Sequence, residues 1–345
     1  MADPLRVAFI GAGGNTTLRH LPGLLELDNV QAVAVCNRSA ESGQRVADQF
    51  GIARVETDPA AIFDADDVDA ISIGTWPYRH REYTVRALEA GKHVLCEARM
   101  AMNATEAREM LAASQARPDL VAQLVPAPMD LLVWRTVRRL MGENVLGTVR
   151  EAHVDVMNGS AIDSSGPLHW RHQTEYSGMN VMMFGIFTEI VSRWLDATER
   201  VMADGATFIT SRRDEVAGRG VPIDVPDSLG VFADLQSGAR VSYRISTVTH
   251  AAPPLAISVY GSEATLHWRG GDDLTLVRLG GEPEAVTPDE GTAIGWNVER
   301  DFVDSIRDNK PVELTNLEDG LHYMQITEAV HRSLAEGRAV NLADV

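Results

Sequence analysis

The chain has 345 residues, of which 45% are hydrophobic, and it carries a formal net charge of −18. This length and apolar content are sufficient for two domains, each with its own packed core. The acidic balance argues against a nucleic-acid or anionic-membrane partner, because such partners require a basic surface that replaces their counterions. We therefore expect a small-molecule substrate.

The two cysteines, Cys36 and Cys96, each lie inside an apolar run, so we expect buried, reduced thiols rather than a disulfide. No Cys/His spacing typical of a metal site occurs, and no metal is predicted. The first apolar run starts at Leu5 without a basic leader before it, and no run approaches the roughly 20 residues of a membrane span. These features predict a cytoplasmic protein.

A glycine-rich turn follows the first predicted strand, Leu5–Ile10, and precedes a helical pattern; it reads Gly11-Ala12-Gly13-Gly14-Asn15-Thr16. Glycine is needed at such a turn because a Cβ would collide with a pyrophosphate bound to the backbone N–H groups there. Thr16 departs from the dinucleotide-binding pattern, which has Gly or Ala at this place. Taken alone, the glycine-rich sequence is as compatible with an ordinary tight turn as with a dinucleotide-binding turn. However, a second strand, Val30–Cys36, follows at the distance expected for dinucleotide binding.

The second strand is followed by Asn37, Arg38 and Ser39. An acid at this position holds the ribose 2′-hydroxyl of NAD, whereas an arginine beside a small hydroxyl binds the 2′-phosphate of NADP. The segment therefore favours NADP(H). In the alternative, Arg38 is a solvated residue that only stacks on adenine, and the missing acid still disfavours strict use of NAD.

Alternating strands and helices continue to about residue 125, with helices predicted at 41–50, 59–63, 79–90 and 103–115 and strands near Arg54 and at 70–73, 92–96 and 120–125. This alternation predicts an α/β fold with a doubly wound parallel sheet. Later β-type segments predict a second, half-exposed sheet, with strands at 148–157, 206–209, 229–235, 239–246, 255–260 and 264–268.

Several motifs, spread over nearly the whole chain, match one known pattern. The most specific is the run Gly91-Lys92-His93-Val94-Leu95-Cys96-Glu97; others are Gly74-Thr75 with His80, Trp170-Arg171, Ser177-Gly178, Gly185, Arg193-Trp194-Leu195, Asp301-Phe302 and Glu318-Asp319-Gly320. With these residues the chain resembles the Gfo/Idh/MocA family of NAD(P)-dependent oxidoreductases, which includes glucose–fructose oxidoreductase and inositol dehydrogenase.

The resemblance implies a Rossmann domain, residues 1–126, that binds NADP or NAD. It also implies a substrate-binding and oligomerisation α/β domain, residues 127–345, with a large, mostly antiparallel open sheet. That sheet commonly forms an oligomer interface in the family, so we expect a homodimer or homotetramer. The implied cofactor-binding residues are Gly11, Gly13, Gly14, Asn15, Asn37, Arg38, Ser39, Thr75, Trp76, His80 and Glu97.

The usual catalytic residues of the family are absent. Its strand-end lysine corresponds to Ala98, and the aspartate and histidine of its second domain correspond to Met183 and Phe187. Neither a thioether nor a phenyl ring accepts a proton in acid–base catalysis, so the family's mechanism does not transfer directly.

Arg99, Tyr176 and Asn180 are the predicted catalytic replacements. A helix over 178–194 would place Asn180 in one stripe with Met183 and Phe187. The predicted substrate-binding residues are Trp170, Arg171, His172, Met183, Phe187 and Glu189. Structural alternatives stay open: Arg99 pairs with a nearby acid, Glu189 is a buried acid paired with an arginine, and Tyr176 or Trp76 packs in a core.

Three functions are compatible with these residues. The first is an NADP(H)-favouring oxidoreductase that acts on a hydroxyl or carbonyl of a sugar-like or small polar substrate, with non-standard acid/base residues. The second is a dinucleotide-binding sensor or regulatory protein without net redox turnover. The third is a lyase or epimerase that uses its bound cofactor transiently.

Overall fold

The computed structural model describes residues 3–181, 183–215 and 217–345. These residues form two compact units. The first unit comprises the chain up to residue 126 together with residues 297–321, and the second comprises residues 127–296 and 322–345. Each unit contains its own sheet.

A six-stranded parallel sheet lies at the centre of the first unit, in the order β3-β2-β1-β4-β5-β6. Its strands are β1 Leu5–Ile10, β2 Val30–Cys36, β3 Arg54–Glu56, β4 Ala70–Ile73, β5 His93–Cys96 and β6 Ala122–Leu124. The order reverses between β1 and β4, and ligands of open α/β sheets bind at the carboxyl ends of the strands beside such a reversal. The predicted doubly wound parallel sheet is confirmed.

Two of the helices that connect these strands begin at a capping side chain, Ser39 in one and Asn103 in the other. A π-helical turn, Thr16–His20, leads into α1 Leu21–Leu25, and the others are α2 Ala40–Phe50, α3 Ala60–Phe63, α4 Pro77–Glu89 and α5 Ala104–Gln115. Asn103 caps α5, because its side chain accepts the Glu106 N–H at 2.9 Å. The Glu106 carboxylate accepts the N–H of Met102 at 3.1 Å, one residue before the partner expected in a capping box.

The Gly-Lys-His run before β5 stabilises the turn that enters this strand. Gly91 has φ +79°, a conformation that favours glycine. The ammonium group of Lys92 donates to the carbonyl oxygens of Ala65 and Val68 at 2.7 and 2.8 Å. Lys92 is therefore a structural residue that ties β5 to the segment before β4.

The second unit is built on a nine-stranded mixed sheet in the order β16-β15-β14-β13-β7-β12-β11-β8-β17. Only the β7–β12 pair is parallel among its described pairs, so the predicted mostly antiparallel sheet is confirmed. The strands are β7 Val149–Met157, β8 Thr198–Ala206, β11 Ser228–Leu235, β12 Arg240–Ser246, β13 Ala256–Gly261, β14 Ala264–Trp268, β15 Leu274–Arg278, β16 Pro283–Ala285 and β17 Val340–Asn341; β9 Ser211–Asp214 and β10 Arg219–Pro222 form a separate hairpin.

One face of this sheet is buried and the other is exposed. Along β11, every second residue lies in the core, as Leu229 and Val231 do. On the opposite face, Phe232 is 61% exposed and pairs across the strands with Met202, which is 51% exposed. The strands predicted at 229–235 and 239–246 are confirmed as β11 and β12. The strand predicted at 206–209 is wrong, since β8 ends at Ala206.

Helices α6 Trp134–Gly142, α7 Thr174–Ser177 and α8 Phe184–Trp194 belong to the second unit. The continuous helix predicted over 178–194 is wrong in its first part. Gly178 has φ +64°, which ends α7, and α8 starts only at Phe184. Asn180 therefore lies outside the helix that carries Phe187.

The segment 297–321 requires a correction to the predicted domain division. The sequence-based division assigned all of 127–345 to the second domain, whereas this segment belongs to the first unit. It contains α9 Val298–Asp308, which packs against α1, and the start of α10 Leu317–Glu336. Gly23 permits this packing, because a Cβ there would lie 2.9 Å from the Glu299 carboxylate. Within the described parts of the chain, no helix is long and apolar enough to cross a membrane.

Candidate functional site

The glycine-rich turn after β1 has the geometry that a phosphate group requires. Gly11 has φ +79°, and a Cβ at this position would lie 2.6 Å from the Thr75 side chain and 2.8 Å from the Thr75 nitrogen. By contrast, a Cβ on Gly13 would have no neighbour nearer than 3.9 Å, and one on Gly14 would have none within 4 Å. The turn is thus tightly supported from β4 and has open space beside its second and third glycines.

Thr16 stands where the dinucleotide-binding pattern has Gly or Ala, and the structure shows what accommodates it. The threonine is buried, and its hydroxyl occupies the place where a Cβ of Gly74 would lie. A side chain on Gly74 would also meet the Gly11 carbonyl oxygen. Gly74, at the end of β4, is therefore the small residue that leaves room for the Thr16 side chain. This keeps the close packing of helix on strand.

Asn37 supports the turn from below. Its side-chain oxygen accepts the N–H of Ala12 at 2.7 Å, and the residue is only 9% exposed. The predicted cofactor binding by Asn37 stays a prediction, since this contact of its side-chain oxygen lies within the protein. Asn37 shapes the turn that faces the ligand.

Arg38 and Ser39 follow at the same strand end and differ in role. The Ser39 hydroxyl accepts the Ser42 N–H at 3.3 Å and contacts the Ser42 hydroxyl at 3.1 Å, so it caps α2. The Arg38 side chain is exposed beside it. Asn37, Arg38 and Ser39 are the residues predicted to select between NADP and NAD. Among them, Arg38 has an exposed polar group that makes no structural hydrogen bond in the described contacts.

The ends of β4 and β5 carry the remaining predicted cofactor-binding residues. Thr75 is half-buried, and its hydroxyl oxygen has no hydrogen-bond partner among the described residues. Trp76 is also half-buried and lies directly before α4, with its ring 6.3 Å from that of Tyr78. A buried hydroxyl without a partner and an aromatic side chain at this edge fit a polar ligand that has a planar ring.

His80 is fully buried and cannot touch a cofactor directly, which corrects its predicted role. Its Nε2 lies 2.9 Å from the Thr75 carbonyl oxygen, and its Nδ1 lies 3.0 Å from that of Arg99. Burial lowers the pKa of His80. The ring joins the segments that follow β4 and β5, so it positions Thr75 and Arg99 through their backbone.

Glu97, at the end of β5, belongs to a charged cluster. One carboxylate oxygen lies 3.0 Å from His20 Nε2 and accepts from the Asn15 amide, and the other accepts the Ala98 N–H at 3.1 Å. The opposite nitrogen of His20 lies 2.6 Å from a carboxylate oxygen of Glu299. All these residues belong to the first unit.

Arg99 is half-buried two residues after Glu97. It lies three residues after the end of β5, at the strand edge where parallel sheets bind their ligands. The structure thus places the predicted Arg99 together with Thr75, Trp76 and Glu97 on one edge of the first unit. It is the cation nearest in sequence to the position of the absent lysine.

In the second unit, a cavity of about 250 Å³ includes the predicted Asn180 in its wall. Its polar lining residues are Thr174, Asn180, Asp224 and His331, and its apolar lining residues are Met179, Val181, Val225, Pro226, Leu334 and Ala335. The Asn180 side chain donates to the Ser177 carbonyl at 2.6 Å, and Asp224 accepts from both the N–H and the hydroxyl of Thr174. Tyr176 is half-buried in α7, two residues after Thr174, which lines this cavity.

Phe187 and Met183 do not line this cavity, which corrects the predicted common stripe. Phe187 is fully buried in the core of the second unit, and Met183 packs against that core. The phenyl ring that corresponds to the family's histidine is therefore a core residue. Substrate binding by Phe187 would require the core to open.

Glu189 is a buried structural acid. Its carboxylate accepts the Ala127 N–H at 2.9 Å and pairs with Arg193 at 2.8 Å. Arg193 also pairs with the fully buried Asp130 at 2.5 Å, and Asp130 accepts the Trp194 indole N–H. This is the alternative role given for Glu189 above, and the predicted substrate contact is corrected.

Trp170, Arg171 and His172 form a short 3₁₀ turn in the second unit. The Arg171 guanidinium carbon lies 4.1 Å from the centre of the Trp170 ring. His172 Nδ1 accepts the His169 N–H at 3.0 Å, and burial lowers the pKa of His172. The turn therefore presents a neutral imidazole and a cation stacked on an indole.

Five polar residues of these sites were not predicted from the sequence: His20, Thr174, Asp224, Glu299 and His331. His20 lies within the helical pattern after the glycine turn, which was interpreted only through its leucines. Its contact with Glu299 spans 279 residues, and no local pattern predicts such a pair. The lining of the cavity also combines α10 with a loop some 100 residues earlier, beyond the reach of local periodicity.

Comparison with protein families identifies both units. Residues 5–123 match the model described as an oxidoreductase family with an NAD-binding Rossmann fold, and residues 134–267 match the GFO/IDH/MocA C-terminal domain. The chain belongs to the GFO/IDH/MocA family of oxidoreductases. The family that the sequence motifs predicted is therefore confirmed. Residues 5–123, in the first unit of the chain, have the NAD-binding Rossmann fold.

Two of the similar proteins are named as sugar dehydrogenases. D-apiose dehydrogenase of Paraburkholderia graminis is 24% identical over 97% of this chain and 89% of its own length. D-glucoside 3-dehydrogenase of Escherichia coli (strain K12) is 39% identical, over 32% of this chain and 31% of its own. The fold is also that of levoglucosan dehydrogenase, solved with NADH and L-sorbose, with a TM-score of 0.85, 19% identity and 99% of both chains covered.

Proposed function

We propose that the protein is an NADP(H)-favouring oxidoreductase that transfers hydride to or from a hydroxyl or carbonyl carbon of a sugar-like substrate. The observation that carries the proposal is the glycine turn, in which Gly11 is held against β4 while Gly13 and Gly14 face open space. A dinucleotide pyrophosphate fits such a turn because the backbone N–H groups bind its oxygens. The free hydroxyl of Thr75 adds a polar partner at the next strand end.

The preference for NADP(H) rests on Arg38. Its exposed guanidinium follows β2, where the adenosine half of a dinucleotide lies in this fold, and a guanidinium binds phosphate oxygens in pairs. Asn37 and Ser39 lie on either side of it at the end of β2. Neither residue is an acid that would repel the 2′-phosphate.

The sugar-like substrate is supported by two observations. The cavity in the second unit combines an amide, a carboxylate, a hydroxyl and an imidazole with an apolar wall, which suits a compact polyhydroxylated ligand. Named relatives act on D-apiose and D-glucosides. We therefore assign the cavity around Asn180 to substrate hydroxyl groups.

The chain's own residues divide the catalytic work as follows. The nicotinamide of the cofactor supplies the hydride acceptor or donor. Arg99 provides a permanent positive charge. This charge stabilises the negative charge that develops on the oxygen bonded to the reacting carbon. Asn180 orients a substrate hydroxyl by hydrogen bonding, and the Tyr176 hydroxyl can donate or accept a proton there.

A titration and a turnover assay test this function together. Binding of NADPH, followed by its fluorescence, is expected at micromolar concentrations, with reduction of NADP⁺ by at least one member of an aldose, polyol and glycoside panel. A protein that binds neither NADPH nor NADH would overturn the proposal. Binding without turnover on the panel would favour the sensor, and turnover by co-purified cofactor without added NADP⁺ would favour the lyase or epimerase.

Arg38→Ala is expected to weaken NADPH binding about tenfold to a hundredfold, since a charge-assisted phosphate contact is lost. The dissociation constant for NADH should change less than about twofold, because NADH has no 2′-phosphate. Arg45→Ala, an exposed arginine of α2 paired with Glu41, is the matched control and should change neither constant. Equal loss of NADH and NADPH affinity would contradict a role in cofactor selection.

We also propose that the chain forms a homodimer or homotetramer through the exposed face of the nine-stranded sheet. Phe232 and Met202 on this face are large apolar residues, and such exposed pairs favour association. The cytoplasmic location and the absence of nucleic-acid and membrane partners stay predictions.

A further inference from the structure

A buried histidine in the first unit joins the glycine turn, β5 and α9. His20 is 1% exposed and is the last residue of the π-helical turn after Gly14. Its Nδ1 lies 2.6 Å from Glu299 and its Nε2 lies 3.0 Å from Glu97. None of the proposed catalytic steps uses this histidine.

The two contacts determine the charge of the ring. Both partners are carboxylates, which only accept hydrogen bonds, so only an imidazolium with two N–H groups satisfies both. Burial lowers the pKa of His20, but the hydrogen bonds from Glu299 and Glu97 outweigh it and raise the pKa to about 9. A neutral ring would direct a nitrogen lone pair at one carboxylate.

The same contacts determine the orientation of Glu97. His20 and Asn15 hold one of its oxygens, and the Ala98 N–H holds the other. These groups hold the pKa of Glu97 at about 2 against the effect of burial, which raises it. The carboxylate keeps 15% exposure, and a carboxylate has about four acceptor positions, so one is left for a ligand donor.

The place of Glu97 in the sheet indicates which part of a cofactor it faces. In this fold the pyrophosphate lies on the turn after β1 and the adenosine lies over the end of β2. The other half of the dinucleotide therefore extends over the ends of β4 and β5. Glu97 follows β5 directly.

We propose that His20 is a positioning residue for the nicotinamide half of the cofactor: as an imidazolium held by Glu299, it fixes the Glu97 carboxylate in the orientation that receives a cofactor N–H or O–H donor. This inference rests on the proposed dinucleotide binding. The groups that face the ring are Glu97 from the end of β5, Glu299 from α9 and Asn15 from the glycine turn. Glu299 is thereby assigned a role in ligand binding through its contact with His20.

The test is the pH dependence of NADH binding to the whole protein, measured by fluorescence from pH 7 to pH 10. NADH is the probe because the 2′-phosphate of NADPH titrates near pH 6 and would add a second transition. The wild-type dissociation constant should stay constant to about pH 8 and rise as the pH passes through the pKa of His20. The positioning requires the charged ring, so affinity is present below that pKa and is lost above it.

Glu299→Gln keeps an acceptor for Nδ1 and removes the charge, so the loss of affinity should move to lower pH by at least one unit. At pH 8 the variant should bind NADH at least about twofold more weakly than wild type, because a smaller fraction of the His20 ring is then charged, and at pH 7 the difference should be smaller. Glu299→Asp restores the charge and should return the profile towards wild type. Glu41→Gln, an exposed acid of α2, is the control that should change nothing.

Each outcome has a distinct meaning. NADH and NADPH that never bind the wild-type protein overturn the proposed function itself. If NADH binds and the pH profiles of wild type and Glu299→Gln are identical, only the role of His20 is overturned. A purely structural His20 would give such identical profiles. If Glu299→Gln does not fold, the wild-type profile decides, and an affinity that stays constant to pH 10 overturns the role.

Discussion

Arg99→Ala is expected to lower kcat about a hundredfold to a thousandfold, the usual cost of removing one donor to a developing oxyanion. The dissociation constant for NADPH should change less than about twofold, because the glycine turn and Arg38 bind the opposite end of the cofactor. The family resemblance predicts Ala98, Met183 and Phe187 in the places of the catalytic groups, so Arg99 is the proposed charged donor at this strand edge. Steady-state turnover and a fluorescence titration measure the two quantities separately.

Two further variants make the result specific to the guanidinium. Arg99→Lys keeps the charge and loses the planar pair of donors, so its kcat should lie between those of wild type and Arg99→Ala. Arg81→Ala removes an exposed arginine of α4 that pairs with Glu109, and its kcat should equal that of wild type. An unchanged kcat in Arg99→Ala would reduce Arg99 to a structural ion-pair partner.

The parallel sheet of the first unit was predictable because its strands are short, apolar and bounded by turn residues. β1, β2 and β4 have the residue limits that their sequences predict, and β4 is buried at all four positions. A strand covered on both faces is mostly apolar, and Ser72 is the one polar residue of β4. Local sequence therefore contains the required information.

The open sheet of the second unit was predicted less completely. Three of the nine residues of β8 are buried, Thr198, Val201 and Ala203, and its charged residues Glu199, Arg200 and Asp204 are exposed. Arg200 is stabilised by Asp234 on the neighbouring strand, a pairing that no single segment reveals. A strand with one charged face gives a weak local signal, and its existence follows from its neighbours.

The site residues follow the same division. The glycine turn and the position of Arg99 follow from motifs that are local in the chain. The capping of α2 by Ser39 and the core position of Phe187 depend on how α2 and α8 begin and on what packs against them. The His20–Glu299 contact depends on α9 returning to the first unit, which required the tertiary structure.

Arg193→Ala is expected to destabilise the protein by about 3–5 kcal/mol, because it leaves buried carboxylates without their cation. Arg193 is 5% exposed and pairs with Asp130 and Glu189, which are also buried. Urea unfolding at pH 8 measures the loss. Arg200→Ala is the matched control, since its ion pair with Asp234 is exposed, and it should cost less than about 1 kcal/mol.

The same cluster predicts the pH dependence of this effect. Burial raises the pKa of Asp130 to about 6, even though Arg193 and the Trp194 indole lower it. The native state thus binds a proton more tightly than the unfolded state, so this group makes stability fall as the pH rises from about 4 to about 6. Without Arg193 the pKa must rise further, so the destabilisation by Arg193→Ala should be larger at pH 8 than at pH 5. A loss equal at both pH values, or no larger than that of Arg200→Ala, would show that water reaches the Asp130 carboxylate and solvates its charge.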